Sequence, residues 1–315
     1  MTVQYDKGPH DLGGGCFAFL LPDGHWGESN TGLIRGDGES LLVDTLYDLA
    51  HTQEMLDAYA PLTADHPIRT LVNTHSDGDH WFGNQLVAGE GVEIIASQAA
   101  ADLMTEHNVV EMAALHDRHD HVGDFIRPIA AAFDLSGIIP TPPTHTFSGH
   151  LDLVVGGREV SLIEVGPAHT DGDVLIHAPE AGVVWTGDIV FIGGAPLVWT
   201  GPVSRCIAAV DPILALDPKV VVPGHGPLTD GAGVKRVRDY LEHVATEATR
   251  RFEEGQTVEE AVKSIDMSAF ADLSEQGRIA ANVLNVYEEL DAARPRADRL
   301  EQFSRIAAYE LGVEA

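Results

Sequence analysis

A strand-like run, IRTLVNT (Ile68 to Thr74), passes without a linker into HSDGDH (His75 to His80). Two imidazoles and two carboxylates crowd into one short turn that pivots on Gly78. A strand fixes the position of such a turn, and glycine lets it fold tightly, so the segment reads as a rigid mount for reactive groups. Taken alone it is equally an Asx-rich turn with no chemistry. Three further segments repeat the design: GPAHTDGD (Gly166 to Asp173), WTGDIVF (Trp185 to Phe191) and VPGHGP (Val222 to Pro227). Each follows an apolar run and carries His or Asp beside glycine. Imidazole and carboxylate are the donors that zinc or iron requires, and four such turns in one chain argue for a shared metal site.

Between these turns the texture alternates. CFAFLL (Cys16 to Leu21), TGLIRG, SLLVDT, VEIIAS, LDLVV, REVSLIEV, DVLIHAP and GVVWTGD read as short strands, with Gly36 to Gly38 as a hairpin turn. Leu49 to Ala60 has a helical pattern that is expected to end at Pro61. Gln98 to about Leu135 and Ile207 to Leu216 also read as helical. From about Val234 onward the chain is helical and charged, with Ile279, Val283, Val286 and Leu290 on one face. The expectation is an α+β sandwich over residues 1–232, followed by a C-terminal helical extension over 233–315 packed on it.

Composition narrows the function. The chain has 315 residues, 19 basic against 49 acidic, a formal net charge of −30. Such a chain repels polyanions, so neither nucleic acid nor an anionic membrane is an expected partner. No apolar run approaches the ~20 residues of a membrane span. The N-terminal residues lack a basic segment followed by an apolar one, so no secretory signal is expected. The two cysteines, Cys16 and Cys206, form no CxxC pair, which fits a reducing cytoplasm.

The four turns, in this order, resemble the metal-binding motifs of the metallo-β-lactamase superfamily: H-x-H-x-D-H, a distal His, a bridging Asp and a final His between glycines. The resemblance spans roughly residues 12–232. It implies an αββα sandwich with metals at the sheet edges. It also implies a first metal on His75 and His169, a second on Asp79, His80 and His225, and Asp188 as the bridge.

One ligand departs from the pattern: Asp77 stands where the family has its second histidine. Asp77 either ligates through oxygen, favouring a harder ion such as Mn or Fe, or is free to orient or deprotonate the attacking water beside a single zinc. A degenerate site is the third reading. The implied activity is zinc-dependent hydrolysis of a small organic substrate, by one or two ions. An ester, lactone, thioester, amide or hydrolytically cleaved carbon–halogen bond would serve, with Asp79 or Asp77 as proton carriers. The alternative is an iron-dependent oxidoreductase of dioxygenase or diiron type.

Other features carry less. His116, His119 and His121 in HDRHDH either hold a further metal or form a solvated face, and His107 shares that ambiguity. Trp26, Trp81 and Trp199 either line an apolar pocket or pack the core. Gly13 to Gly15 precede a strand and lack a lysine, so they make no phosphate loop. The C-terminal helices are expected to cap the pocket or to form a homodimer surface.

Overall fold

Two sheets face each other across one apolar layer, and helices cover both outer faces. The computed structural model describes residues 5–314; the His116 side chain lies outside the described residues. The first sheet runs in sequence order: β1 (Gly8–Gly13), β2 (Cys16–Leu20), β3 (Thr31–Arg35), β4 (Ser40–Val43), β5 (Ile68–Val72), β6 (Glu93–Ser97) and β7 (His145–Phe147). It is antiparallel as far as β4 and parallel beyond. The change of sense requires a crossover, which α1 (Leu49–Thr63) supplies between β4 and β5. The helices α2 (Gln98–Leu103), α3 (Glu106–His116) and α4 (His121–Ala130) fill the connection from β6 to β7.

The second sheet has the order β12, β11, β10, β9, β8. Its strands are β8 (His150–Val155), β9 (Arg158–Glu164), β10 (Val174–Ala178), β11 (Val183–Trp185) and β12 (Val220–Val222). Only β11 and β12 are parallel, and α5 (Val203–Ala215) joins them.

Alternation of side chains explains the layers. In β2 to β5, Ala18, Leu20, Ile34, Val43 and Val72 point inward to meet Val160, Leu162, Ile176 and Trp185 of the second sheet. Their neighbours Phe19, Leu33, Leu42 and Leu71 point outward onto Met55 and Tyr59 of α1. A period of two along each strand thus feeds two cores at once. The sheets approach so closely that a Cβ on Gly32 would lie 2.0 Å from Trp185 Nε1.

Helix α1 continues to Thr63 through Pro61, beyond the end expected from sequence. Proline removes one backbone bond, but Leu62 packs on the Met55–Tyr59 cluster and carries the last turn along. At its start, Asp48 accepts hydrogen bonds from the His51 backbone at 2.7 Å and from the Asp134 backbone at 3.1 Å. Such a cap is worth about 1 kcal/mol.

The C-terminal helices are α6 (Gly231–Glu253), α7 (Val258–Ser264), α8 (Ile279–Leu290) and α9 (Arg299–Leu311). The expected single apolar face of α8 is too narrow a description. Every residue from Ile279 to Glu288 is buried, while Leu290 is exposed. A helix buried on all sides is an interior element. Val283 and Tyr287 share one cluster with Leu175, Val184 and Val210 of the second-sheet layer. Helices α6, α7 and α8 therefore belong to the outer helical layer of that sheet, while α9 packs Phe303 and Ile306 against Val122 and Ile126 of α4.

Candidate metal centre

All seven side chains singled out above converge at one end of the sandwich. Asp188 sits at their centre. Its Oδ1 lies 3.2 Å from His80 Nε2, and its Oδ2 lies 3.4 Å from both His169 Nε2 and His225 Nε2 and 3.9 Å from His75 Nε2. Asp79 Oδ2 is 3.2 Å from His225 Nε2 and 3.9 Å from His80 Nε2. Asp77 Oδ2 is 3.1 Å from His169 Nε2. Ligands about 2.0–2.2 Å from a tetrahedral ion stand at separations of this order.

The donor set fits a cation on its own evidence. His75 Nε2, His80 Nε2 and Asp188 Oδ1 are buried and have no hydrogen-bond partner. Buried polar atoms without partners are costly and call for an explanation. Three groupings satisfy metal-ligand spacing among the described residues: His75 with Asp77 and His169, His75 with His80 and Asp188, and Asp79 with His80 and His225. None involves the HDRHDH segment. There His119 is exposed, His121 Nε2 pairs with Ser304 Oγ at 2.8 Å, and Asp120 caps α4. His107 is also exposed.

The far nitrogens of His80, His75 and His169 are fixed by neighbours, which sets the orientation of those rings. His80 Nδ1 pairs with Asp44 Oδ2 at 2.9 Å, and Asp44 also accepts from the Thr74 backbone and hydroxyl at 2.7 Å. His75 Nδ1 faces Thr74 Oγ1 at 2.9 Å, and His169 Nδ1 donates to Leu197 O at 2.8 Å. His225 instead stacks on Phe191 at 5.4 Å. Sequence reading missed Asp44. Its signal was present, since SLLVDT is another apolar strand ending in a carboxylate. Trp81 belongs to the core reading: it is fully buried, and its Nε1 donates to Ser76 O at 2.9 Å, bracing the HSDGDH turn. Trp26 and Trp199 do line a cleft above the site, with Met112, Ile126 and Phe303.

Electrostatics sort the titrating groups. Burial opposes charge on every imidazole here. It drives His75 down to about 3, helped by the neighbouring His80. For His225 the burial is outweighed by Asp188 and Asp79, which lift it to about 9. Asp188, Asp79 and Asp44 likewise outweigh burial at His80 and raise it well above the usual imidazole range. The raised imidazoles favour their protonated form, and an imidazole must be neutral to ligate a metal. Uptake of a divalent ion at pH 7 is therefore expected to release protons and to weaken as the pH falls. Calorimetry in buffers of differing ionisation enthalpy reads this directly, and uptake without proton release would contradict it.

One partner had no signal in the sequence. Arg299, the first residue of α9, reaches Asp77 from 222 positions away: Nη2 lies 3.1 Å from Oδ1 and Nη1 3.4 Å from Oδ2. Its guanidinium lies 4.1 Å over the Trp199 ring. Together with His169, it leaves neither Asp77 oxygen free.

Known proteins share this arrangement of sheets. A metallo-beta-lactamase from Pontibacter korlensis superimposes with a TM-score of 0.55 at 18% identity, covering 74% of this chain and 98% of that one. The stereoselective inverting sec-alkylsulfatase Pisa1 from Pseudomonas sp. gives a TM-score of 0.67 at 19% identity, covering 90% of this chain and 50% of that one. In sequence, the chain is 24% identical over 198 residues to the 2,4-dinitroanisole O-demethylase subunit alpha of Nocardioides sp. (strain JS1661), covering 61% of this chain and 51% of that protein. It is 28% identical over 109 residues to the hydroxyacylglutathione hydrolase of Synechococcus sp. (strain JA-3-3Ab), covering 32% and 42%. The matched stretch thus spans about half or less of these relatives' own lengths. Residues 24–225, which hold all seven converging side chains, match the family model of the metallo-beta-lactamase superfamily, and the chain belongs to that superfamily.

Proposed function

We propose that the protein is a hydrolase of a small organic substrate, an ester, lactone, thioester, amide or organohalide, that works through one or two zinc ions held by His75, Asp77, Asp79, His80, His169, Asp188 and His225. The observation that carries this reading is the set of unpartnered buried atoms, His75 Nε2, His80 Nε2 and Asp188 Oδ1, aimed at shared points. A divalent ion held there brings the pKa of water toward about 7 and polarises the electrophile. The hydrolases among the relatives support the hydrolytic half of the proposal.

The chain's own groups would then divide the work. Asp79 lines the cleft and is the carboxylate placed to take a proton from the attacking water. Asp77 is held by Arg299 and His169, so it serves as a ligand or as a positioning group in preference to a mobile base. Trp26, Trp199 and Phe303 offer an apolar seat for the substrate and shield the reaction from bulk water. Buried, unpaired Cys16 and Cys206 are consistent with a cytoplasmic setting. Among the described residues no helix is long and apolar enough to cross a membrane.

The three carboxylates, harder donors than imidazole, favour the iron-dependent oxidoreductase as the second reading. Metal analysis of protein produced without supplements, combined with a panel of chromogenic esters, lactones and thioesters, separates the two. Hydrolysis that is lost on chelation and restored by zinc supports the proposal. Dominant iron with oxygen consumption and no hydrolysis overturns it.

A further inference from the structure

The two halves of the metal centre carry unequal charge, and the cause lies in the C-terminal helix. The half formed by His75, His169 and Asp77 has two neutral-capable imidazoles and one carboxylate. That carboxylate faces the Arg299 guanidinium at 3.1 and 3.4 Å. Arginine does not lose its proton in proteins, so Asp77 contributes almost no net charge. The half formed by His80, His225 and Asp79 has a carboxylate that, among the described ion pairs, meets only these imidazoles and no arginine or lysine. It gains further negative charge from Asp44 behind His80, at 2.9 Å. Asp188 faces both halves and does not distinguish them.

Arg299 is also fixed in place. Its guanidinium rests on Trp199 at 4.1 Å, Gln302 Nε2 donates to Trp199 O at 2.8 Å, and Phe303 packs on the same ring at 5.0 Å. Helix α9 cannot withdraw the charge without breaking this cluster.

We propose that Arg299 is a built-in counter-cation, a positioning residue that weakens the His75–Asp77–His169 position, so that the Asp79–His80–His225 position fills first and the other fills only at higher metal concentration. The inference rests on the metal-centre reading above and deepens it: Asp77 with Arg299 stands in for the family's second histidine as a nearly neutral pair. A permanent positive charge a few ångströms from a dication in a poorly solvated site opposes its binding.

Cobalt binding to metal-stripped protein, followed by calorimetry and by visible absorption, tests this without reference to activity. The wild type is expected to show two binding events of unequal affinity, with His225→Ala abolishing the tighter one. Arg299→Met should tighten the weaker event by about tenfold or more, the scale on which outer partners act, and leave the tighter one in place. Arg299→Lys retains the charge and should keep the weaker event weak. Asp77→Asn leaves Arg299 uncancelled, so the weaker event should be lost or weakened by about tenfold; this variant also decides the matter if Arg299→Met fails to fold. A weaker event that Arg299→Met leaves unchanged or weakens further would overturn the proposal, as would an Asp77→Asn protein with wild-type binding. No cobalt binding by the folded wild type would instead overturn the metal-centre reading itself.

Discussion

Asp188→Ala is expected to leave the folded protein with less than one firmly bound metal equivalent and to lower kcat/KM on any hydrolysed substrate on the order of a thousandfold. No other side chain in the centre lies against all four imidazoles: His80, His169, His225 and His75 stand 3.2, 3.4, 3.4 and 3.9 Å from its oxygens. Burial opposes its charge, but His225, His80 and His169, in that order, hold the Asp188 carboxyl well below its usual range. Its removal takes a donor from both halves of the centre and the counter-charge from His80 and His225 together. Metal analysis after gel filtration and steady-state kinetics read the two effects. If the protein were only a scaffold, Asp188→Ala would change neither metal content nor thermal stability.

The second large effect is expected at a residue with no functional group. A Cβ on Gly224 would lie 1.9 Å from Asp188 Oδ1 and 2.7 Å from the carbonyl carbon of Gly187. Alanine suits the backbone angles there, so the clash is purely one of space. The backbone cannot retreat: Gly224 N donates to Gly187 O at 2.9 Å, and Gly224 O accepts from the Asn30 backbone at 2.7 Å. Asp188 must therefore give way. Gly224→Ala is expected to cost about 1–3 kcal/mol in denaturant unfolding, the usual range for overpacking. It should also weaken metal binding by more than about tenfold, since a displaced ligand does more harm than a displaced outer partner. Wild-type metal affinity in this variant would mean that Asp188 does not hold the position described above.

These two residues also show what the sequence could and could not convey. Asp188 and Gly224 sit inside local patterns, WTGDIVF and VPGHGP, in which a strand, a turn and a ligand are adjacent in the chain. The same holds for His75 to His80 and His169, so the convergence could be anticipated from four short windows. Asp44 lay within reach of the same rule. Arg299 did not. It opens a charged helix of ordinary composition, and its meaning arises only when Trp199 and Asp77, both far away in sequence, fold against it. The length of α1 beyond Pro61 and the complete burial of α8 were hidden for a related reason. Both depend on which surfaces pack against them, here Tyr59 with Leu62 and the second-sheet layer, and local periodicity carries no record of that.

Asp77 consequently reads differently in three dimensions. As a lone substitution for histidine it left ligation, base catalysis and degeneracy open. Paired with Arg299 on one side and His169 on the other, it is a held group, which is why the proposed function gives the proton transfer to Asp79.

Anomalous diffraction at the zinc, iron and manganese edges, from crystals of protein purified without added metal, would identify and locate the ions that these seven side chains hold. A peak of zinc is expected between Asp79, His80, Asp188 and His225, with a weaker or absent peak beside His75, Asp77 and His169. Absence of any peak among these residues after soaking in zinc, or iron as the resident ion, would contradict that expectation.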